Sequence, residues 1–159
     1  MQELKIVAMP TKIAETVRAT MKAPGYGFPA HRETAVGRAP CRHCLRLIQP
    51  NDEELILFTY DAFHGQGVRP SPGPVYIHAE SCAPLEGNGQ IPAEYRDQPL
   101  TLEAFGEGRE RLGERLLKDD DGDTALQEIF ENAEVRYVHV RSTSAGCYLF
   151  RVERAELQP

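Results

Sequence analysis

Pro40-Cys41-Arg42-His43-Cys44-Leu45 is answered later in the chain by Val75-Tyr76-Ile77-His78-Ala79-Glu80-Ser81-Cys82. Reduced to its donors, this is C-x2-C, a long gap, then H-x3-C. Such paired spacings let soft and borderline donors close a tetrahedral shell around one zinc ion. Cys41 and Cys44, two residues apart, can both point inward from one tight turn. His78 and Cys82, four apart, share a face if Cys82 lies in the first turn of a helix.

Working outward, Leu45 to Ile48, the turn Pro50-Asn51-Asp52, and Leu55 to Tyr60 read as a hairpin after the cysteine knuckle. Knuckle, hairpin and a second pair at a helix start resemble a treble-clef zinc site, over about residues 40–85. The chain departs from that pattern at Leu45-Arg46, where glycine is usual, and at Pro84, which keeps any following helix short. A shell of Cys41, Cys44, His78 and Cys82 leaves no open position and implies a structural zinc. His43, His139 and Cys147 are alternatives to His78 as the fourth donor. Cys41 and Cys44 can also be read as a redox dithiol, although they do not sit in a strand-to-helix turn of a βαβ unit. Buried, inert thiols are the third reading.

The chain has 159 residues, long enough for one domain with a real core and no disulfides. The formal net charge is −6, which argues against nucleic acid, because phosphate neutralisation needs a clustered basic face. Arg109, Arg111 and Arg115, and Arg141, Arg151 and Arg154, are interleaved with glutamates. No apolar run approaches membrane-spanning length, and Met1 to Met9 lacks a signal-peptide core. A cytosolic protein is expected, with cysteines that serve as ligands or thiols rather than disulfides.

Leu4 to Ala8 reads as a strand, and Pro10-Thr11 opens a helix carrying Ile13, Val17 and Met21 on one face. Residues 30–40 look irregular. Asp61 to Pro74 is rich in glycine and proline and reads as a long loop, in which His64 and Arg69 could reach an anion. Val75 to His78 and Leu100 to Phe105 read as strands. Arg109 to Lys118 is ambiguous, since its leucines suit a helix and Gly113 does not. Asp123 or Thr124 is expected to cap a helix ending near Asn132. Asp119, Asp121, Gly122 and Glu128 match some places of a calcium loop, but Leu117 stands at its first place, so an acidic turn and helix cap is the better reading.

Val135 to Arg141 and Cys147 to Val152 form a second predicted hairpin. Tyr137, His139 and Arg141 share one strand face. If Ser142 pairs with Cys147, Arg141 lies opposite Tyr148 and His139 opposite Phe150; a one-residue slip would bring Cys147 to the His139 face. There Cys147 could act as nucleophile, His139 as base and Arg141 as anion anchor.

Pro40 to Leu45, Gly73 to His78, Tyr137 to Arg141 and Gly146-Cys147-Tyr148 together resemble the bacterial family catalogued as domain of unknown function 1203. The resemblance runs from about Tyr26 to Arg154. It implies compact single-domain bacterial proteins of about this length and no particular activity. It also implies relatives that need not keep Cys44 or Cys82, so any shared chemistry would sit at the His139, Arg141 and Cys147 hairpin.

The expectation is one α+β domain over residues 1–159, a mostly antiparallel sheet with two or three helices and a treble-clef-like zinc segment. Its expected function is a zinc-stabilised cytosolic binding or accessory module for a small molecule or a protein. The alternatives are an enzyme built on Cys147, His139 and Arg141, and a redox sensor built on Cys41 and Cys44.

Overall fold

The computed structural model describes residues 2–67, 71–87 and 89–156. Strand β1 (Leu4–Val7) and helix α1 (Thr11–Thr20) come first, followed by β2 (His31–Thr34), β3 (Ala39–Pro40), β4 (Leu47–Ile48), β5 (Glu54–Asp61) and β6 (Pro72–His78). A short 3-10 turn (Ala93–Tyr95), β7 (Leu100–Phe105), β8 (Arg111–Leu117), helix α2 (Gly122–Ile129), β9 (Tyr137–Ser142) and β10 (Tyr148–Arg154) complete the order. The class is α+β, every strand pairing is antiparallel, and the described residues hold two α-helices. The chain divides into two compact units.

One unit comprises Met1–Val7, Gly65–Arg69 and Gly87–Pro159. Its sheet runs in the order β1-β10-β9-β7-β8. The central strand β9 is buried at nearly every residue, with Val138 and Val140 fully enclosed. Alternating side chains on a strand covered on both faces explain this run of Tyr, Val, His and Val. Arg154 ties the sheet to the end of α2: its guanidinium donates to the Phe130 carbonyl at 2.9 Å and lies 5.0 Å from that ring. Helix α2 starts two to three residues earlier than its sequence suggests, because Asp121 is the cap. Its carboxylate accepts from the Asp123 N–H at 3.0 Å and the Thr124 hydroxyl at 2.8 Å. The acidic turn is therefore a helix start.

The other unit comprises Ala8–His64 and Pro70–Glu86. It contains α1, the sheet β2-β5-β6 and the small β3–β4 pair. Pro10 opens α1, its carbonyl accepting from Ile13 and Ala14, and Met21 ends it in the left-handed region at φ 53°. Ala14 and Val17 are fully buried on its inner face.

Three predicted elements change. β4 pairs with β3 rather than with β5, so the hairpin after the knuckle is β5–β6. Residues 30–40 contain β2, an edge strand exposed at all four positions, which carries no apolar alternation to reveal it. Arg111–Leu117 is a strand on the edge of the large sheet, where Gly113 stands opposite Ala104.

Candidate metal centre

Strands β3 and β4 hold the cysteine knuckle. The Cys41 N–H donates to the Arg46 carbonyl at 3.0 Å, and the Leu45 N–H donates to the Cys41 carbonyl at 2.8 Å. This tight turn forces Leu45 to φ 61°, the conformation that glycine usually supplies. A left-handed leucine costs about 1 kcal/mol, and Leu45 offsets this by burying its side chain almost completely. The knuckle is docked on β6, where the Arg42 N–H donates to the Tyr76 carbonyl at 3.0 Å. β6 itself ends on His78.

Among the described residues, Cys41, Cys44, His78 and Cys82 bring one donor atom each within 4.8 Å of one another. The Cys41 and Cys82 sulfurs are 3.8 Å apart, and the Cys44 sulfur is 3.4 Å from His78 Nδ1. Zinc–sulfur bonds of about 2.3 Å and zinc–nitrogen bonds of about 2.0 Å in a tetrahedron give edges of roughly 3.8 Å and 3.5 Å. These two separations match the edges one small ion requires, and all four donors lie within 4.8 Å of one another.

The surroundings suit such an ion. The outer nitrogen of His78, Nε2, faces the Glu53 carboxylate at 3.5 Å. A carboxylate behind a ligating imidazole fixes the ring's orientation and raises its basicity. The His78 N–H points at the Cys41 sulfur at 3.3 Å, and the Arg18 guanidinium at the Cys82 sulfur, also at 3.3 Å. Three thiolates and one neutral imidazole around a divalent cation carry net charge −1, which Arg18 offsets. Without an ion, bonds from Cys41 and Cys82 push the Cys44 thiol well below the usual range, while its proton-sharing partner Cys41 is pushed up. Bonding to the Cys44 and Cys82 sulfurs raises His78 to about 9.

Cys82 does not lie in a helix. Residues 81–87 have no regular structure, so no helix begins at the second donor pair. Pro84 and Gly87 in this short stretch oppose one.

Of the alternative fourth donors, His43 comes nearest. Its Nδ1 is 3.1 Å from the Cys82 sulfur, and its Nε2 is 2.9 Å from the Thr11 hydroxyl. A neutral ring accepting the Thr11 proton at Nε2 presents Nδ1–H to the sulfur. It is buried, and burial lowers its pKa. His43 thus suits a donor to a ligand sulfur. Arg18, Glu53 and Thr11 carry no sequence signal for these roles, being scattered across α1 and the turn before β5.

The second constellation sits in the other unit, and the structure distributes it differently. The Ser142 N–H donates to the Cys147 carbonyl, and Arg141 lies opposite Tyr148, as the sequence suggests. A bulge between Tyr148 and Phe150 then places Arg151, not Phe150, opposite His139. Cys147 is half-buried in the turn, and its hydrogen-bonded partner Ser142 lies three residues along β9 from His139, roughly 10 Å at strand spacing. The His139 ring is fully enclosed, with Phe105, Tyr148 and Tyr137 rings at 5.0, 5.0 and 5.3 Å. Burial, then Arg141, Arg151 and Arg109, lower it to about 3. It is neutral at pH 7, so it supplies no imidazolium to a thiolate. The Arg141 guanidinium is engaged by Glu103.

In the predicted anion-binding loop, His64 packs against Tyr60 at a ring distance of 6.1 Å, and Arg69 lies outside the described residues.

The family model for "Protein of unknown function (DUF1203)" matches residues 38–154. No curated protein and no solved structure matches the chain.

Proposed function

The chain belongs to the DUF1203 family, and we propose that it is a zinc-stabilised binding or accessory module. In this reading Cys41, Cys44, His78 and Cys82 hold one structural zinc ion. The observation that supports it is the pair of donor separations, 3.8 Å and 3.4 Å, set at tetrahedral edges. Four protein donors fill the shell, which suits a structural rather than a catalytic ion. The mixed thiolate and imidazole set favours zinc over calcium or magnesium. In energetic terms the ion would replace the helix that the Cys82 segment lacks, binding it to the knuckle and to β6.

The test is metal content per chain on protein purified without chelator or nickel. One zinc per chain supports the reading. Metal-free protein with a melting curve indifferent to added zinc overturns it.

A further inference from the structure

The four donors are not equally protected. Cys41 is fully buried, Cys44 and His78 nearly so, whereas Cys82 is half-buried between exposed Ser81 and Ala83. Its backbone also belongs to the irregular segment 81–87, while Cys41 and Cys44 are clamped by the β3–β4 turn. The least protected sulfur is thus on the most adjustable backbone.

That sulfur also faces a guanidinium and an imidazole nitrogen. Arg18 Nη2 stands 3.3 Å away and His43 Nδ1 3.1 Å away. In the zinc-loaded protein Cys82 is a thiolate by virtue of ligation, and the thiolate is the nucleophile in cysteine chemistry. The Arg18 guanidinium donates from Nε to the His78 carbonyl at 3.1 Å, which holds it beside the sulfur. A second thiolate, Cys41, lies within 3.8 Å.

We propose that Cys82 is a peroxide-reactive thiolate whose oxidation closes a Cys41–Cys82 disulfide and releases the zinc. The inference rests on the zinc reading above and adds a modification site to it. In the first step the Cys82 sulfur attacks one oxygen of a hydroperoxide. A sulfur–oxygen bond forms, the oxygen–oxygen bond breaks, and hydroxide leaves to take a proton from solvent. In the second step the Cys41 thiolate attacks the Cys82 sulfur, expelling a second hydroxide as the disulfide forms. Two thiolates lose two electrons in all, and hydrogen peroxide becomes two waters. Zinc keeps its oxidation state and loses two of its four ligands. Closing 3.8 Å to the roughly 2.05 Å of a disulfide requires a movement that the irregular segment can supply.

The Cys41–Cys44 dithiol considered from sequence alone is the competing pair. Both of its thiols are buried, so a peroxide in solvent meets Cys82 first.

The test uses full-length zinc-loaded protein carrying Cys147→Ser, which removes the unrelated thiol. Metal content is measured first. One equivalent of hydrogen peroxide is then added with a chromogenic zinc chelator present, and disulfides are mapped by peptide mass spectrometry. A parallel sample with limiting peroxide contains a cyclic dione that traps sulfenic acid. The expected result is zinc release matching disulfide formation, a Cys41–Cys82 peptide pair, and at least about tenfold more trapped label on Cys82 than on Cys41 or Cys44. Zinc-loaded protein that keeps its metal, or that forms Cys41–Cys44 instead, overturns this inference and leaves the structural zinc standing. Protein that binds no zinc overturns both.

Discussion

Glu53 Oε2 stands 3.5 Å from His78 Nε2, on the side of the imidazole facing away from the sulfur cluster. The other carboxylate oxygen accepts from the Gln49 N–H at 3.0 Å, so the turn before β5 holds Glu53 in place. Removing a carboxylate behind a ligating histidine typically weakens metal binding about 10–100-fold. Glu53→Ala is expected to lose zinc affinity in that range while keeping its fold, measured by competition against a chromogenic chelator. Wild-type affinity in this variant would show that the contact plays no part in holding metal.

Metal removal should act unevenly along the chain. A strong chelator is expected to raise amide exchange in the knuckle, β3, β4 and residues 79–87 by several orders of magnitude. β7, β9 and β10, which belong to the other unit, should keep their protection. Hydrogen–deuterium exchange with and without chelator reads this directly, and a uniform rise across both units would contradict it.

His139 makes the molecule acid-sensitive. Its pKa is lowered from 6.5 to about 3 in the folded chain, so between these values the unfolded chain binds the extra proton. The stability linked to it is fully present above pH 6.5 and is lost as pH falls towards 3. The span corresponds to roughly 4–5 kcal/mol at the acid end. His139→Phe keeps an aromatic ring among Phe105, Tyr137 and Tyr148 and removes the titration. Urea midpoints measured from pH 7 to pH 4 should fall less in the variant than in wild type.

Gly89 is irreplaceable for a local reason. It sits at φ 82°, and a Cβ there would lie 2.0 Å from the Leu4 carbonyl oxygen. Neither atom belongs to a flexible side chain, so β1 or the segment after residue 87 must shift. Gly89→Ala is expected to cost upwards of about 2 kcal/mol, read from chemical denaturation. Gly113→Ala, with open space at its Cβ, is the matched control.

The parts of the fold that were legible in sequence are those where one local rule dominates. Leu100–Phe105 alternates and is bounded by proline, and its strand is where the pattern puts it. The Ser142–Cys147 turn and the Arg141–Tyr148 pairing follow from the last hairpin's turn residues. β2 was illegible because His-Arg-Glu-Thr at an exposed edge has no inward face to mark. β8 was ambiguous because Leu112, Leu116 and Leu117 recur at helical spacing, and only its pairing with β7 decides the matter. The bulge that moves His139 opposite Arg151 is a one-residue displacement that no alternation pattern announces. At the metal centre, the four donors were visible as spacing, since ligands cluster in short pairs. Arg18, Glu53 and Thr11 were not, because tertiary folding alone brings them to the cluster.

The order of the strands has a consequence for synthesis. β1 pairs with β10, so β1 must wait for β10 to be translated before it has that partner. Cys41, Cys44, His78 and Cys82 have all been translated before β7 begins. The unit that carries these four donors is therefore complete on the nascent chain while β1 still lacks that partner. If the four donors hold zinc as proposed, a shortage of zinc would be met during translation, before the larger sheet exists.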